Sequence, residues 1–223
     1  MGPWNHNIHY HDIVLRAIPP NCRRALDVGC GQGLLARQLA RHCQEVIAID
    51  SDRDTLLRAR SARDPQPRIA FVEGDAMSHP FPDASFDLIT VVAALHHLPL
   101  QPALLRFRNL LRSGGVLAVV GLYRAHSIQD YAWAAAALPA SWIFRCLHRR
   151  AEVEAPLQEP KETLHEIRAA CDAILPGGTF RRRPLFRYSF VWPKPSSADR
   201  SPDPASLTAS SPSARPAPSS AAG

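Results

Sequence analysis

Residues 25–33 carry the sequence ALDVGCGQG, in which an apolar run leads into three closely spaced glycines. Leu26 and Val28 share one face of an extended segment over 24–28, and apolar residues at positions 34, 35 and 39 then follow helical spacing. This change of period predicts a buried strand, a tight turn and a helix. Glycines in such a turn let the backbone approach a ligand closely, and the helix start offers N–H groups to an anion. The stretch therefore predicts a nucleotide-type site.

The spacing of the glycines narrows the choice of nucleotide. A dinucleotide-binding fold uses G-x-G-x-x-G, whereas this chain has G-x-G-x-G, with Leu34 where the third glycine would stand. Asp27 places an acid at the end of the strand, where it would repel a diphosphate and attract an ammonium group. An NAD-dependent dehydrogenase is therefore disfavoured. A tight strand–helix turn without a ligand is the alternative, because a glycine turn alone is a weak signal.

Composition sets broad limits on the class of protein. A chain of 223 residues suits one domain, and a net charge of +6 permits an acidic partner without requiring one. The five cysteines are scattered and contain no C-x-x-C pair, which indicates thiols in a reducing compartment. No signal peptide or membrane-spanning run is evident, so we expect a soluble cytoplasmic protein. Residues 193–223, rich in Pro, Ser and Ala, are predicted to be a disordered tail.

Strands and helices alternate after the glycine turn. A second apolar strand over 46–50 ends in Asp50, whose two carboxylate oxygens could accept both hydroxyls of a ribose. Further strands are predicted over 68–72, 86–92, 116–121, 179–183 and 185–192, with helices over about 102–111 and 161–174. This alternation predicts an α/β fold with a parallel sheet and helices on both faces.

The histidines near the N-terminus invite a metal interpretation. His6, His9 and His11 form an H-x-x-H-x-H pattern. No carboxylate or thiolate set lies nearby, and a helix that ends before Pro19 explains the spacing of the apolar residues here. No metal site is therefore predicted.

Several stretches taken together resemble a known family. They are LDVGCGQG at 26–33, Asp50, GDA at 74–76, FPDASFD at 81–87, LHH at 95–97 and LRSGG at 111–115. As a set, over roughly residues 22–121, they resemble a class I S-adenosylmethionine (SAM)-dependent methyltransferase, in particular the ubiquinone/menaquinone C-methyltransferases and many small-molecule methyltransferases. The resemblance implies a Rossmann-like, seven-stranded, mostly parallel sheet with an antiparallel last strand, within a domain over 1–192.

The resemblance also implies which residues would bind the SAM cofactor. Asp27 would hold the methionine end, Asp50 the ribose hydroxyls, and Asp75 the adenine amino group. The remaining implied contacts come from backbone or small side chains. For the methionine end they are at Gly29, Gly31 and Gly33 and, at the end of the fourth strand, at Val92 and Ala93. For the adenine ring the contact is at Ala76.

Some methyltransferase classes do not match. Residues 91–94 are VVAA, where amide and adenine N-methyltransferases carry N-P-P-Y or D-P-P-Y, and no Pro-Cys pair marks a cysteine nucleophile. Ser113 replaces the proline that usually precedes the double glycine of the family, which is a small departure.

The methyl acceptor has to be inferred from the rest of the chain. Residues 124–158 form an aromatic-rich insertion that, with the N-terminal helix over 1–20, is predicted to make a lid over a small apolar or aromatic molecule, methylated at oxygen, nitrogen or carbon. Extra core packing is the alternative. His97 is favoured as a general base over His96, Tyr10, His9 and His126, although a double histidine can simply pack.

The sequence is also compatible with other functions. Arginines at 145, 149, 150 and 181–183, with His148, could form a basic surface for RNA or an anionic membrane, although solvated charge is favoured. An RNA or protein methyltransferase and a non-catalytic SAM-binding partner protein remain as alternatives. The oligomeric state is not predicted.

Overall fold

A computed structural model describes residues 10–61, 67–126, 159–184 and 186–196. Its α-helices are α1 His11–Leu15, α2 Leu34–Leu39, α3 Arg53–Ser61, α4 Leu100–Leu110 and α5 Leu164–Ile174, with a short 3-10 helix over Leu95–His97. Its strands are β1 Arg24–Val28, β2 Glu45–Asp50, β3 Ile69–Glu73, β4 Phe86–Val92, β5 Leu111–Leu122, β6 Thr179–Arg183 and β7 Arg187–Pro193.

The strands form one seven-stranded sheet in the order β3-β2-β1-β4-β5-β7-β6. The first five strands pair in parallel, while β7 runs antiparallel to both β5 and β6. The predicted α/β fold, with its mostly parallel sheet and antiparallel last strand, is confirmed. The order reverses at β1, and the crevice at such a switch point is where open α/β sheets bind ligands.

The side chains of β1 point alternately to the two faces of the sheet, and both faces are covered by helices. Leu26 and Val28 lie in one buried cluster with residues of α4 and α5. Ala25 points the other way, into a second cluster with residues of α1, α2 and α3. Helices therefore cover both faces, as expected for a parallel sheet that must bury both of its sides.

The bounds of β2 and β3 differ from the sequence prediction by one residue, and those of β5 and β7 differ by more. β5 begins at Leu111 instead of Val116, because Leu111 pairs with Phe86 before a register shift that contains the predicted turn. Gly114 takes a φ of +77° in this irregular stretch, and its N–H donates to the carbonyl of Lys194 at 3.0 Å. β7 begins at Arg187 instead of residue 185 and ends at Pro193 instead of residue 192, so Pro193, the first residue of the predicted tail, is part of the sheet and pairs with Val116.

Capping residues in the sequence fix the starts of α5 and α3. Thr163 caps α5 with a capping box, in which its side chain accepts from the Glu166 N–H and Glu166 accepts from the Thr163 N–H. Asp52 caps α3 by accepting from the backbone N–H groups of Asp54 and Thr55 at 3.0 and 3.3 Å.

Several expectations lie outside the described residues. Only residues 10–20 of the N-terminal segment are described, and α1 is their helical part. Residues 127–158 of the predicted lid insertion and residues 197–223 of the predicted tail are not among those described. In the part of the chain that the structure describes, no helix is long and apolar enough to cross a membrane.

Candidate functional site

The glycine turn lies between the carboxyl ends of β1 and β2. The N–H groups of Gly29 and Cys30 both donate to the carbonyl of Ile49, at 2.9 and 3.1 Å. Gly29, Gly31 and Gly33 have φ values of +67°, +53° and +72°, which favour glycine. A Cβ on Gly29 would lie 2.4 Å from the Cβ of Ala94, whereas a Cβ on Gly31 would meet nothing within 4 Å. The turn therefore packs against the end of β4 at Gly29 and is open at Gly31.

Asp50 ends β2 beside this turn, as the sequence predicts. Its Oδ2 accepts from the Gly31 N–H at 2.8 Å, and its Oδ1 accepts from the Asp52 N–H at 3.0 Å. The carboxylate thus ties the turn to the start of α3. Each carboxylate oxygen has a second lone pair, so the side chain can still accept two hydroxyl donors.

Asp27 is a buried acid on β1, with only 2% of its surface exposed. The Thr90 hydroxyl of β4 donates to its Oδ1 at 2.8 Å, while Oδ2 is buried with no hydrogen-bond partner among the described residues. Burial raises the pKa of Asp27 to about 7, although the Thr90 hydrogen bond opposes that rise. A positively charged ligand group beside this carboxyl would therefore favour its ionised form.

The loop after β3 carries Asp75 and Ala76. Asp75 is exposed, and its Oδ1 accepts from the Met77 N–H at 2.8 Å while Oδ2 accepts from the Ser78 hydroxyl at 3.2 Å. Ala76 is buried, and its carbonyl accepts from Nε of Arg106 at 2.7 Å. Arg106, on α4, donates a second bond to the carbonyl of His79 and so clamps this loop.

The end of β4 lies next to the glycine turn. Val92 and Ala93 are half-buried there, and the Ala93 N–H donates to the carbonyl of Val120 on β5 at 2.7 Å. Ala93 has a φ of +53°, in the left-handed region that a non-glycine residue rarely adopts. Strained backbone of this kind clusters at ligand sites. All the residues implied by the resemblance thus lie at the carboxyl ends of β1 to β4.

The two histidines that follow β4 differ in their surroundings. His97 is exposed, whereas His96 is half-buried and its Nδ1 has no hydrogen-bond partner among the described residues. The two ring centroids are 4.1 Å apart. Burial lowers the pKa of His96 to about 4, with the charges of His97 and Arg187 adding to that effect. His96 is therefore a neutral imidazole at pH 7.

Sequence reasoning missed Thr90 and Arg106. Thr90 could have been found from pairing, because it stands directly beside Asp27 in the parallel register of β1 and β4. Arg106 carried no comparable signal, since it contacts residues about thirty positions away through a helix–loop packing that periodicity does not fix.

The predicted basic surface is only partly described. Arg182 donates from Nε to the Tyr123 hydroxyl at 3.0 Å, and Arg183 donates from Nε to the Ser189 hydroxyl at 2.9 Å. Of this run, Arg181 is the exposed member. Residues 145–150 lie outside the described part of the chain. No group of three or more potential metal ligands occurs within the described ranges.

The described residues fit the SAM cofactor that the resemblance implies. The orphaned, buried Oδ2 of Asp27 would gain its missing positive partner from the methionine ammonium group. The open side of Gly31 leaves backbone room for a ligand at the turn. Asp50 and Asp75 keep acceptor capacity at the ends of the neighbouring strands β2 and β3.

Comparisons with known proteins agree with this geometry. A family model described as "Methyltransferase domain" matches residues 26–119. An uncharacterised methyltransferase of Mycobacterium tuberculosis is 37% identical over 195 residues, covering 86% of this chain and 98% of the relative. A demethylmenaquinone methyltransferase of Roseiflexus castenholzii is 34% identical over 113 residues, covering 50% of this chain and 48% of the relative.

Solved structures share the fold. A SAM-dependent methyltransferase of Methanosarcina mazei has a TM-score of 0.57 at 17% identity, with 87% of this chain and all 100% of that chain covered. Since a relative that is matched over nearly its whole length is itself a methyltransferase, the family is established. The chain belongs to the class I SAM-dependent methyltransferases, with SAM as its cofactor.

Proposed function

We propose that this methyltransferase acts on a small molecule with an apolar or aromatic body, at an oxygen, nitrogen or carbon atom. The observation that carries the proposal is the edge of the sheet beyond β4, where the guanidinium carbon of Arg187 lies 5.9 Å from the centre of the Tyr10 ring and the charge of Arg187 acts on the half-buried His96. The demethylmenaquinone methyltransferase among the relatives acts, by its name, on a quinone, which supports a substrate with an apolar body here.

We propose that each acidic residue binds a different part of SAM. Asp27 and the turn at Gly29, Gly31 and Gly33 hold the methionine end, together with the backbone of Val92 and Ala93. Asp50 accepts the ribose hydroxyls, while Asp75 accepts from the adenine amino group and Ala76 packs on the ring. When bound, SAM supplies an activated methyl group on a sulfonium.

The protein then has to align the acceptor and exclude water, because the donor itself is reactive. His97 is the proposed general base for an acceptor that keeps its proton until reaction, since it follows β4 closely in the chain and its ring is exposed. The proposed lid comprises residues 1–20 and 124–158, most of which lie outside the described residues.

The described arginines favour a small molecule over RNA. Arg182 and Arg183 make hydrogen bonds within the fold, so this run presents less exposed charge than its sequence indicates. A phosphate-binding surface requires several exposed cationic side chains.

The test is methyl transfer from tritiated SAM into a cell extract that is afterwards separated into small molecules, RNA and protein. We expect the label in the small-molecule fraction. Label that is removed by RNase, or that stays with protein, would contradict the proposal. The Asp50→Asn variant serves as the control for cofactor-dependent labelling.

A further inference from the structure

Arg187 lies at the same edge of the sheet as the cofactor residues. It is the first residue of β7 and stands opposite Leu122, the last residue of β5. Two residues earlier in β5, Val120 pairs with Val92 at the end of β4. The side chain therefore starts from the carboxyl edge, beyond β4 and β5, on the acceptor side of the crevice.

This arginine is a half-buried cation. Burial lowers the pKa of Arg187, and its guanidinium carbon lies 5.9 Å from the centre of the Tyr10 ring. An arginine keeps its charge at neutral pH even so, because its ordinary pKa lies above 12. A charge in a partly desolvated setting acts more strongly on a nearby ligand than the same charge in water.

His96 adds a second polar group to the same place. Its Nδ1 is buried with no hydrogen-bond partner among the described residues, and its pKa is lowered partly by the charge of Arg187. A buried imidazole nitrogen without a partner is costly, and a ligand with a polar group would satisfy it. A ligand with an acidic group could therefore contact the guanidinium of Arg187 and satisfy the Nδ1 of His96 at once.

Aromatic side chains stand around these polar groups. Tyr10 is buried beneath the guanidinium of Arg187, and its hydroxyl donates to the carbonyl of Pro184 at 3.3 Å. Phe186 precedes Arg187 with a φ of +56°, and its ring meets Tyr123 edge-on at 6.2 Å. Left-handed backbone at a phenylalanine is unusual, and such strain is maintained mainly at functional sites.

We propose that the methyl acceptor is a small organic acid, whose carboxylate pairs with Arg187 and accepts a hydrogen bond from Nδ1 of His96 while its apolar body packs on Tyr10 and Phe186. A guanidinium offers a planar fork of donors that matches a carboxylate. The inference rests on the proposed small-molecule methyltransferase function, and it names the acceptor class within it.

The first experiment separates a protein-free cell extract by anion exchange and supplies each fraction with tritiated SAM and the enzyme. We expect the label to come from the retained, anionic fraction. Benzoate and hexanoate should inhibit that labelling at concentrations at least tenfold lower than benzamide and hexanamide, because the amides lack the charge. This competition uses only the unaltered enzyme.

The second experiment replaces the cation. Arg187→Gln should lower labelling from the anionic fraction at least tenfold, while Arg181→Gln removes an exposed charge from the neighbouring strand β6 and should leave labelling within twofold. The affinity for SAM, measured by titration calorimetry, should stay within twofold in both variants, which shows that they fold.

The outcomes separate the two proposals. Label that arises from the unretained fraction, amides that inhibit as well as acids, or full labelling by Arg187→Gln would overturn the acid-binding inference and leave small-molecule methylation standing. An absence of label from every fraction, with SAM binding intact, would overturn small-molecule methylation and the inference that depends on it.

Discussion

The backbone N–H of Gly31 donates a hydrogen bond of 2.8 Å to Oδ2 of Asp50. This bond joins the middle of the glycine turn to the end of the neighbouring strand β2, so the residue proposed to hold ribose also shapes the turn proposed to hold methionine. The other oxygen of Asp50 accepts from the Asp52 N–H at 3.0 Å and orients the start of α3. A single carboxylate thus couples both halves of the proposed SAM site.

Asp50→Asn should weaken SAM binding about 10- to 100-fold. The amide cannot accept at both of its ends, so one backbone donor loses its partner and the ribose hydroxyls lose a charged acceptor worth about 1.5–3 kcal/mol. Titration calorimetry measures the loss. Asp52→Asn is the control, because asparagine also caps helices well and the cap of α3 should survive. Equal affinities in the two variants would refute the ribose assignment.

The glycines of the turn should respond differently to alanine. Gly29→Ala combines left-handed strain with a Cβ that would lie 2.4 Å from that of Ala94, so it should lower the free energy of unfolding by about 2–4 kcal/mol. Gly31→Ala meets no atom within 4 Å and should cost only the strain, about 1–2 kcal/mol.

Affinity for SAM distinguishes the two glycines further. The added methyl group of Gly31→Ala would project into the open space proposed for the cofactor, so its SAM affinity should fall by more than its stability loss suggests. Urea unfolding and calorimetry on both variants provide the comparison. A Gly31→Ala protein with unchanged SAM affinity would contradict the assignment of that space to the cofactor.

The sequence predicted most of the sheet because its strands obey local rules. β1 and β4 have the predicted bounds, since apolar runs bounded by turn residues leave little choice of ends. The start of β5 was predicted five residues too late, because a strand that continues through a double glycine is held by pairing with Phe86 and with Lys194, which are distant in sequence.

The acidic residues of the candidate site were predictable from the sequence, whereas the arginines near them were not. Asp27, Asp50 and Asp75 each end or follow a strand, so a period-2 pattern locates them. Arg106 and Arg187 gain their places from contacts across the fold. Arg106 reaches a loop about thirty residues away, and Arg187 meets Tyr10 only after β7 inserts next to β5. Patterning along the chain contains no information on such contacts.

Arg106→Ala should impair recognition of adenine. The arginine donates to the carbonyls of Ala76 and His79, and its loss should release the loop that carries Asp75. The unaltered enzyme should bind S-adenosylhomocysteine about tenfold more tightly than S-inosylhomocysteine, which lacks the amino group. The variant should lose most of that preference. Arg108→Ala, on the same helix, removes a 3.4 Å bond to the carbonyl of Ile174 and should keep the preference.

Asp27 should make stability depend on pH in an unusual direction. Its pKa is raised by burial to about 7 in the folded protein, above the ordinary value near 4, so the folded state holds a proton that the unfolded state releases between these values. The contribution of Asp27 to the free energy of unfolding therefore falls by up to about 4 kcal/mol as the pH rises from about 4 to 7. The lowered pKa values of His11 and His96 act in the opposite direction below pH 6.5.

The Asp27→Asn variant isolates this contribution, because the histidines are unchanged in it. Its melting temperature relative to the unaltered protein should rise between pH 5 and pH 8, since only the unaltered protein has to bury a carboxylate at the higher pH. Saturating SAM should reverse this difference in melting temperature at pH 8. The methionine ammonium group stabilises the ionised Asp27 of the unaltered protein, whereas the amide of the variant has no charge to pair with it. Thermal melts at several pH values, with and without SAM, test both statements. A difference that does not vary with pH would mean that Asp27 is already ionised throughout this range, and a SAM-induced gain equal in both proteins would remove Asp27 from the methionine site.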